Sequence, residues 1–241
     1  MYQRDYLMRQ IEQAARALAA IMKKAMGGDP DQALVMFDQA YQPLLGVSQR
    51  VVSTLTDEQL ISLLTSGSMP DLRRVASVLE VVKSEADVYT QAGNQQAAAT
   101  RYRRALSLAG YLASRSDEAL DAELAGHVVE RTGGMALSAS QRLDLARVLE
   151  SLGRYADAED ALFEAIDDLP EDTGLVDAGI VFYQRLLALQ DADLETGGLP
   201  RDEVKSSLAE LLRRQVPDED ASDWPDEDPS SWPNQDKDPP P

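Results

Sequence analysis

The stretch Gly153-Arg154-Tyr155-Ala156-Asp157-Ala158-Glu159-Asp160-Ala161-Leu162-Phe163-Glu164-Ala165-Ile166 sets a glycine ahead of small and bulky side chains at fixed intervals. Ala158 comes five residues after the glycine, Leu162 four further on and Ala165 three after that. On a helix these gaps bring Ala158, Leu162, Ala165 and Ile166 to one face. Glycine permits a tight interhelical turn, alanine lets the following helix approach its partner closely, and the bulky residue fills the hole between hairpins. The same spacing recurs in Gly28, Ala33, Phe37, Ala40, Tyr41 and in Gly93, Ala98, Tyr102, Ala105, Leu106.

Outward from these segments, helix signals cover most of the chain. Residues 3–26 carry Leu7, Ile11, Ala14, Ala15, Leu18, Ile21, Met22 and Ala25 as an amphipathic stripe that ends at Gly27-Gly28. Asp29-Pro30 supplies an N-cap and a proline at the first helical position, predicting a second helix through about Leu45. Thr56-Asp57-Glu58-Gln59 has capping-box spacing ahead of Leu60, Ile61, Leu63 and Leu64, and Pro70 opens a longer helix to about Gln91. Further helices are expected over about 95–114, 116–131, 138–151, 155–168, 173–189 and 201–214. The breaks fall at Gly93, Gly133-Gly134, Gly153, Pro170 and Gly197-Gly198-Leu199-Pro200. No segment alternates with period two, so the expected fold class is all-α.

The three repeated segments resemble the second half of a tetratricopeptide repeat, at that family's Gly, Ala, aromatic and Ala positions. Tyr155 and Pro170 fall where the family has an aromatic after the turn and a helix-ending proline, and Tyr89 matches the aromatic late in the first helix. The first half departs from the pattern, with Val82 and Arg142 at the early tryptophan position. The glycines stand 65 and 60 residues apart, against a family repeat of about 34. The resemblance implies an array of antiparallel helix hairpins, an α-solenoid, with an ordinary helical bundle as the alternative. A second resemblance rests on Asp5-Tyr6-Leu7-Met8-Arg9-Gln10-Ile11, Leu44-Leu45-Gly46, Leu60-Ile61-Ser62-Leu63-Leu64 and Gly153–Phe163. These look like a bacterial family of helical proteins known only as a domain of unknown function, over about residues 1–190. That resemblance implies a fold and no activity.

Charge and proline divide the chain in two. Of 241 residues with a net charge of −19, those from Pro217 onward hold nine acids, one base, seven prolines and both tryptophans. The expected organisation is one helical domain over residues 1–215 and a disordered acidic, Pro-rich tail over 216–241. The tail repeats Ser222-Asp223-Trp224-Pro225 as Ser230-Ser231-Trp232-Pro233. It reads as a solubilising segment, with a docking peptide as the alternative. No apolar run reaches the length of a membrane span and no signal-peptide pattern opens the chain, so a cytoplasmic location is expected. The acidity speaks against nucleic acid, whose affinity comes from clustered lysine and arginine.

Chemistry-bearing residues are few. With no cysteine and one histidine, disulfides, thiolate catalysis and His–His metal sites are excluded. His127, with Glu130 one turn away, reads as a partly exposed helix histidine. The glycine pairs match no phosphate loop. Asp218-Glu219-Asp220 and Asp226-Glu227-Asp228 lack calcium-loop spacing and read as solvated charge. Arg101, Arg103 and Arg104 are expected on an outer face, paired with nearby acids. No catalytic residue, metal or cofactor is expected.

In a hairpin array the binding groove is lined by the first helix of each pair. That face comprises Glu80, Lys83, Asp87 and Thr90 in one hairpin, and Ser140, Leu143, Arg147 and Glu150 in another. Lys83 suits a peptide's terminal carboxylate, whereas Asp87 would repel it. The expected function is a non-enzymatic protein–protein interaction module, an adaptor or scaffold, with another protein or peptide as partner. A regulatory or sensor subunit binding a small molecule or peptide between helices is the alternative, and a carboxylate-only hydrolase the remote one. The long Leu7–Ala25 stripe also suggests a homodimer.

Overall fold

Most of the helices begin where a side chain closes the first turn, whereas those that start at Asp38, Tyr155 and Asp191 have no such cap. In the computed structural model, which describes residues 2–65, 71–115 and 120–215, α1 (Tyr2–Met26) gives way to α2 (Pro30–Val35), capped by Asp29 on the amide of Gln32. Then come α3 (Asp38–Leu45), α4 (Gln49–Thr54) and α5 (Asp57–Thr65), the last opened by reciprocal bonds between Thr56 and Gln59. Asp71 caps α6 (Leu72–Gln91) and Asn94 caps α7 (Gln95–Ala113). After α8 (Ala122–Thr132), a full capping box of Ser138 and Gln141 opens α9 (Ala139–Ser151). The described chain ends with α10 (Tyr155–Asp168), α11 (Thr173–Leu187), α12 (Asp191–Thr196) and α13 (Arg201–Gln215). No strand occurs among the described residues, and the fold is all-α. Pro70, residues 116–119 and the tail from 216 lie outside the described residues.

Helices close in sequence pack together: α1 with α2 and α3, α6 with α7, α9 with α10, and α11 with α13 across the short α12. All twelve residues that follow the glycines at the repeated positions are buried, from Ala33 and Phe37 to Ala165 and Ile166. The turn glycines Gly28, Gly93 and Gly153 hold φ of 88°, 76° and 70°, a left-handed conformation that a side chain would strain. One large core joins α1 through α8 and includes Val148, a second joins α9 through α13, Val129 and Leu145 pack against both, and Ala86, Ala98 and Tyr102 form a small third cluster.

Three elements differ from expectation. The helix expected over 30–45 is broken at Met36-Phe37, where the amides of Gln39 and Ala40 bond three residues back and seat Phe37 in the core. The short helix α4 was not foreseen, because only Val52 is buried on it and polar bonds anchor it instead of an apolar stripe. The short helix α12 likewise buries Leu194 alone. The Leu7–Ala25 stripe is partly consumed within the chain, Leu18, Ile21 and Ala25 being buried where α1 meets α3 and α6.

Candidate functional site

The polar groups of this helical body that bear on a site include two internal networks around Glu85 and Asp87, one cleft and one groove, beside a separate, partly buried bond from Tyr183 to Glu159. The first network is centred on Glu85 of α6, which is fully buried. It accepts hydrogen bonds from Tyr41 Oη at 2.5 Å and Gln49 Nε2 at 2.7 Å. Arg101 Nε lies 2.9 Å away, in ion-pair range but off the line of a hydrogen bond. Burial, and then the neighbouring Glu85, push the Tyr41 hydroxyl well above its ordinary pKa. Arg101 also reaches Ser53 at 2.6 Å, while Arg104 pairs with Asp57 at 2.8 Å and holds the carbonyls of Val52 and Leu55. Arg101 and Arg104 are therefore buried staples between α4–α5 and the α6–α7 hairpin. The outer-face expectation for them is corrected: their acids are about 16 and 47 positions away in sequence, where no helix-surface rule reaches.

The second network is centred on Asp87. Tyr102 Oη donates to its Oδ1 at 2.5 Å, His127 Nε2 lies 3.1 Å from the same oxygen, and Lys83 Nζ pairs with Oδ2 at 2.9 Å. Burial raises the carboxyl's pKa, but the bonds from Tyr102 and Lys83 outweigh it and hold Asp87 below its usual range. Burial and the bond to Asp87 push Tyr102 up to about 12. His127 is partly exposed as expected, and its partner is Asp87 of α6 in place of Glu130.

A cleft of about 470 Å³ opens between the first turns of α5 and α9 and the middle of α7. Thr56, Thr100, Ser107 and Ser138 give it hydroxyls, and Arg103, Arg104, Asp57 and Asp144 give it charge. Asp144 is largely buried there, and burial pushes its carboxyl up to about 7 despite Arg147 at 3.1 Å.

The larger cavity is a groove of about 1090 Å³ along α9 and α11, closed by the end of α7 and the start of α10. Leu143, Ala146, Leu152, Leu162, Val181, Phe182 and Leu186 make an apolar floor. Arg115, Arg147 and Arg185 against Glu150 and Asp177 make the charged rim, with Arg185 and Glu150 bonded to each other at 2.6 and 2.7 Å. Val181 stands 46% exposed in it.

Of the residues expected to line one binding face, Leu143, Arg147 and Glu150 do line this groove, and Ser140 lines the smaller cleft. The α6 set is not brought to either cavity. Glu80 is exposed, Lys83 and Asp87 are spent on each other, and Thr90 bonds back to the Ala86 carbonyl at 3.0 Å. Sequence reading missed the α11 wall. Its signal was a second small-and-apolar stripe, Gly174, Ala178 and Val181, at i, i+4 and i+7, opposite the buried Val176, Ile180 and Tyr183.

Among the described residues no three histidine or acidic side chains are grouped to hold a metal ion, and no helix is long and apolar enough to cross a membrane. No curated protein and no solved structure matches the chain. The model of a family of unknown function, DUF6483, matches residues 1–216, and the chain belongs to that family.

Proposed function

We propose that this protein is a non-enzymatic interaction module, a cytoplasmic adaptor or scaffold of tetratricopeptide-like hairpins, that holds a segment of another polypeptide in the α9–α11 groove. The groove carries the reading. Its apolar floor removes hydrophobic surface from water, and its arginine-rich rim fixes register, the division of labour found at protein interfaces. The ionisable clusters elsewhere support it, since Glu85 with Arg101, Asp57 with Arg104, and Asp87 with Tyr102 and His127 are engaged across helices and hold the fold. Val181→Glu places a charge on the groove floor at a partly exposed site, where folding is little disturbed. Affinity capture from the host is expected to return a reproducible partner with the native chain and to lose it with Val181→Glu. Equal capture by both chains overturns the assignment of the groove.

A second reading, a sensor subunit for a small polar molecule, is favoured by the cleft beside Asp144, whose volume of about 470 Å³ falls within the usual ligand range. A thermal shift with a polar metabolite, abolished by Asp144→Asn, supports that reading.

A further inference from the structure

We propose that the α9–α11 groove is occupied at rest by the chain's own acidic Trp-Pro segment, Ser222–Pro233, which a partner must displace. The inference rests on the groove being a polypeptide-binding site. Connectivity is the first argument. Arg201 donates to the carbonyl of Leu187, and Leu211 lies against Gly179, so α13 runs antiparallel to α11. Gln215 therefore leaves the fold beside the first turns of α11, where Gly174 and Asp177 form one end of the groove. Trp224 is nine residues further on, a reach of about 30 Å when extended, against a helix about 10 Å across. The groove's other wall is thus within reach of the first tryptophan.

Charge is the second argument. The chain as a whole is net −19, yet the groove rim sets three arginines against two acids. The segment beyond Gln215 carries nine acids and one base. Of the rim arginines, Arg185 is paired with Glu150 and Arg147 with Asp144, which leaves exposed Arg115 as the rim's cation toward an acidic segment. Chemistry is the third. A tryptophan held between acids and a following proline offers a large apolar side chain on a stiff backbone, which suits an apolar floor flanked by arginines. Tethering places the segment at about millimolar effective concentration, so a groove that binds it with a Kd of ~0.1 mM in trans is filled in roughly nine chains of ten.

The chain contains its own probe, because both tryptophans, Trp224 and Trp232, lie in this segment and the helical body has none. Tryptophan emission and acrylamide quenching are to be measured on the full chain and on a synthetic peptide of residues 217–241. The proposal expects emission blue-shifted and quenching several-fold weaker in the full chain than in the peptide, independent of protein concentration. Val181→Glu is expected to return both to the peptide's values, and Arg115→Glu, at an exposed rim position, to return them part of the way. Full-chain tryptophans as exposed as the peptide's overturn the proposal, as does protection that survives Val181→Glu. Protection that grows with concentration overturns it in favour of a second copy's tail. None of these outcomes bears on whether the groove takes a partner, which is read from intermolecular capture.

Discussion

Asp144 of α9 lies so close to Gly110 of α7 that a Cβ on the glycine would fall 2.5 Å from the aspartate's own Cβ. This approach crowds the carboxylate against α7 at the edge of the cleft, and burial pushes it up to about 7. The unfolded chain releases that proton at the ordinary value of 3.8. Between these values the folded state holds a proton that the unfolded state has lost. Stability from this residue is therefore full below pH 3.8 and falls as pH rises toward 7. The slope is at most ~1.4 kcal/mol per pH unit for one proton. Denaturant unfolding across pH 4.5 to 8 (about the window of that proton) is expected to show the decline in the native chain and a flatter profile in Asp144→Asn.

Gly110→Ala tests the helix approach itself. Alanine raises helix propensity by about 1 kcal/mol, but overpacking a closed interface costs about 1–3 kcal/mol. The obstructing atom is a Cβ, which no rotamer change can withdraw. A net loss of stability is expected, and it should persist in the double variant with Asp144→Ala, because that change keeps the offending Cβ. A stabilised Gly110→Ala chain contradicts the packing.

Glu85 is the charge on which the first core depends. Glu85→Ala removes the acceptor of Tyr41 and Gln49 and leaves Arg101 buried without its counter-charge, a loss of roughly 3–5 kcal/mol. Tyr41→Phe leaves Glu85 two partners and is expected to cost about 1–3 kcal/mol. Chemical denaturation of both variants checks the order. A Tyr41→Phe chain less stable than Glu85→Ala would invert it.

Legibility followed the kind of force involved. Ala158, Leu162, Ala165 and Ile166, with their counterparts near Gly28 and Gly93, were readable because apolar burial along a helix leaves a periodic trace in one short segment. The pairs Arg101–Glu85 and Arg104–Asp57 were not, since a buried ion pair between distant helices leaves no local pattern. The same limit divides the site. Leu143, Arg147 and Glu150 share one face of one helix and were found together, whereas their facing wall on α11 is brought to them only by packing. Lys83 and Asp87 pair one turn apart on α6, but the contacts of Asp87 with Tyr102 and His127 depend on α7 and α8 folding over it.

The central claim is that the α9–α11 groove, and not the α6 face, takes a segment of another polypeptide. A photoactivated crosslinking side chain at position 181, compared with one at the exposed position 80, tests it in the host cell. The account predicts a reproducible intermolecular adduct from position 181 and none from position 80. Adducts from position 80 alone, or from neither position across growth conditions, contradict it.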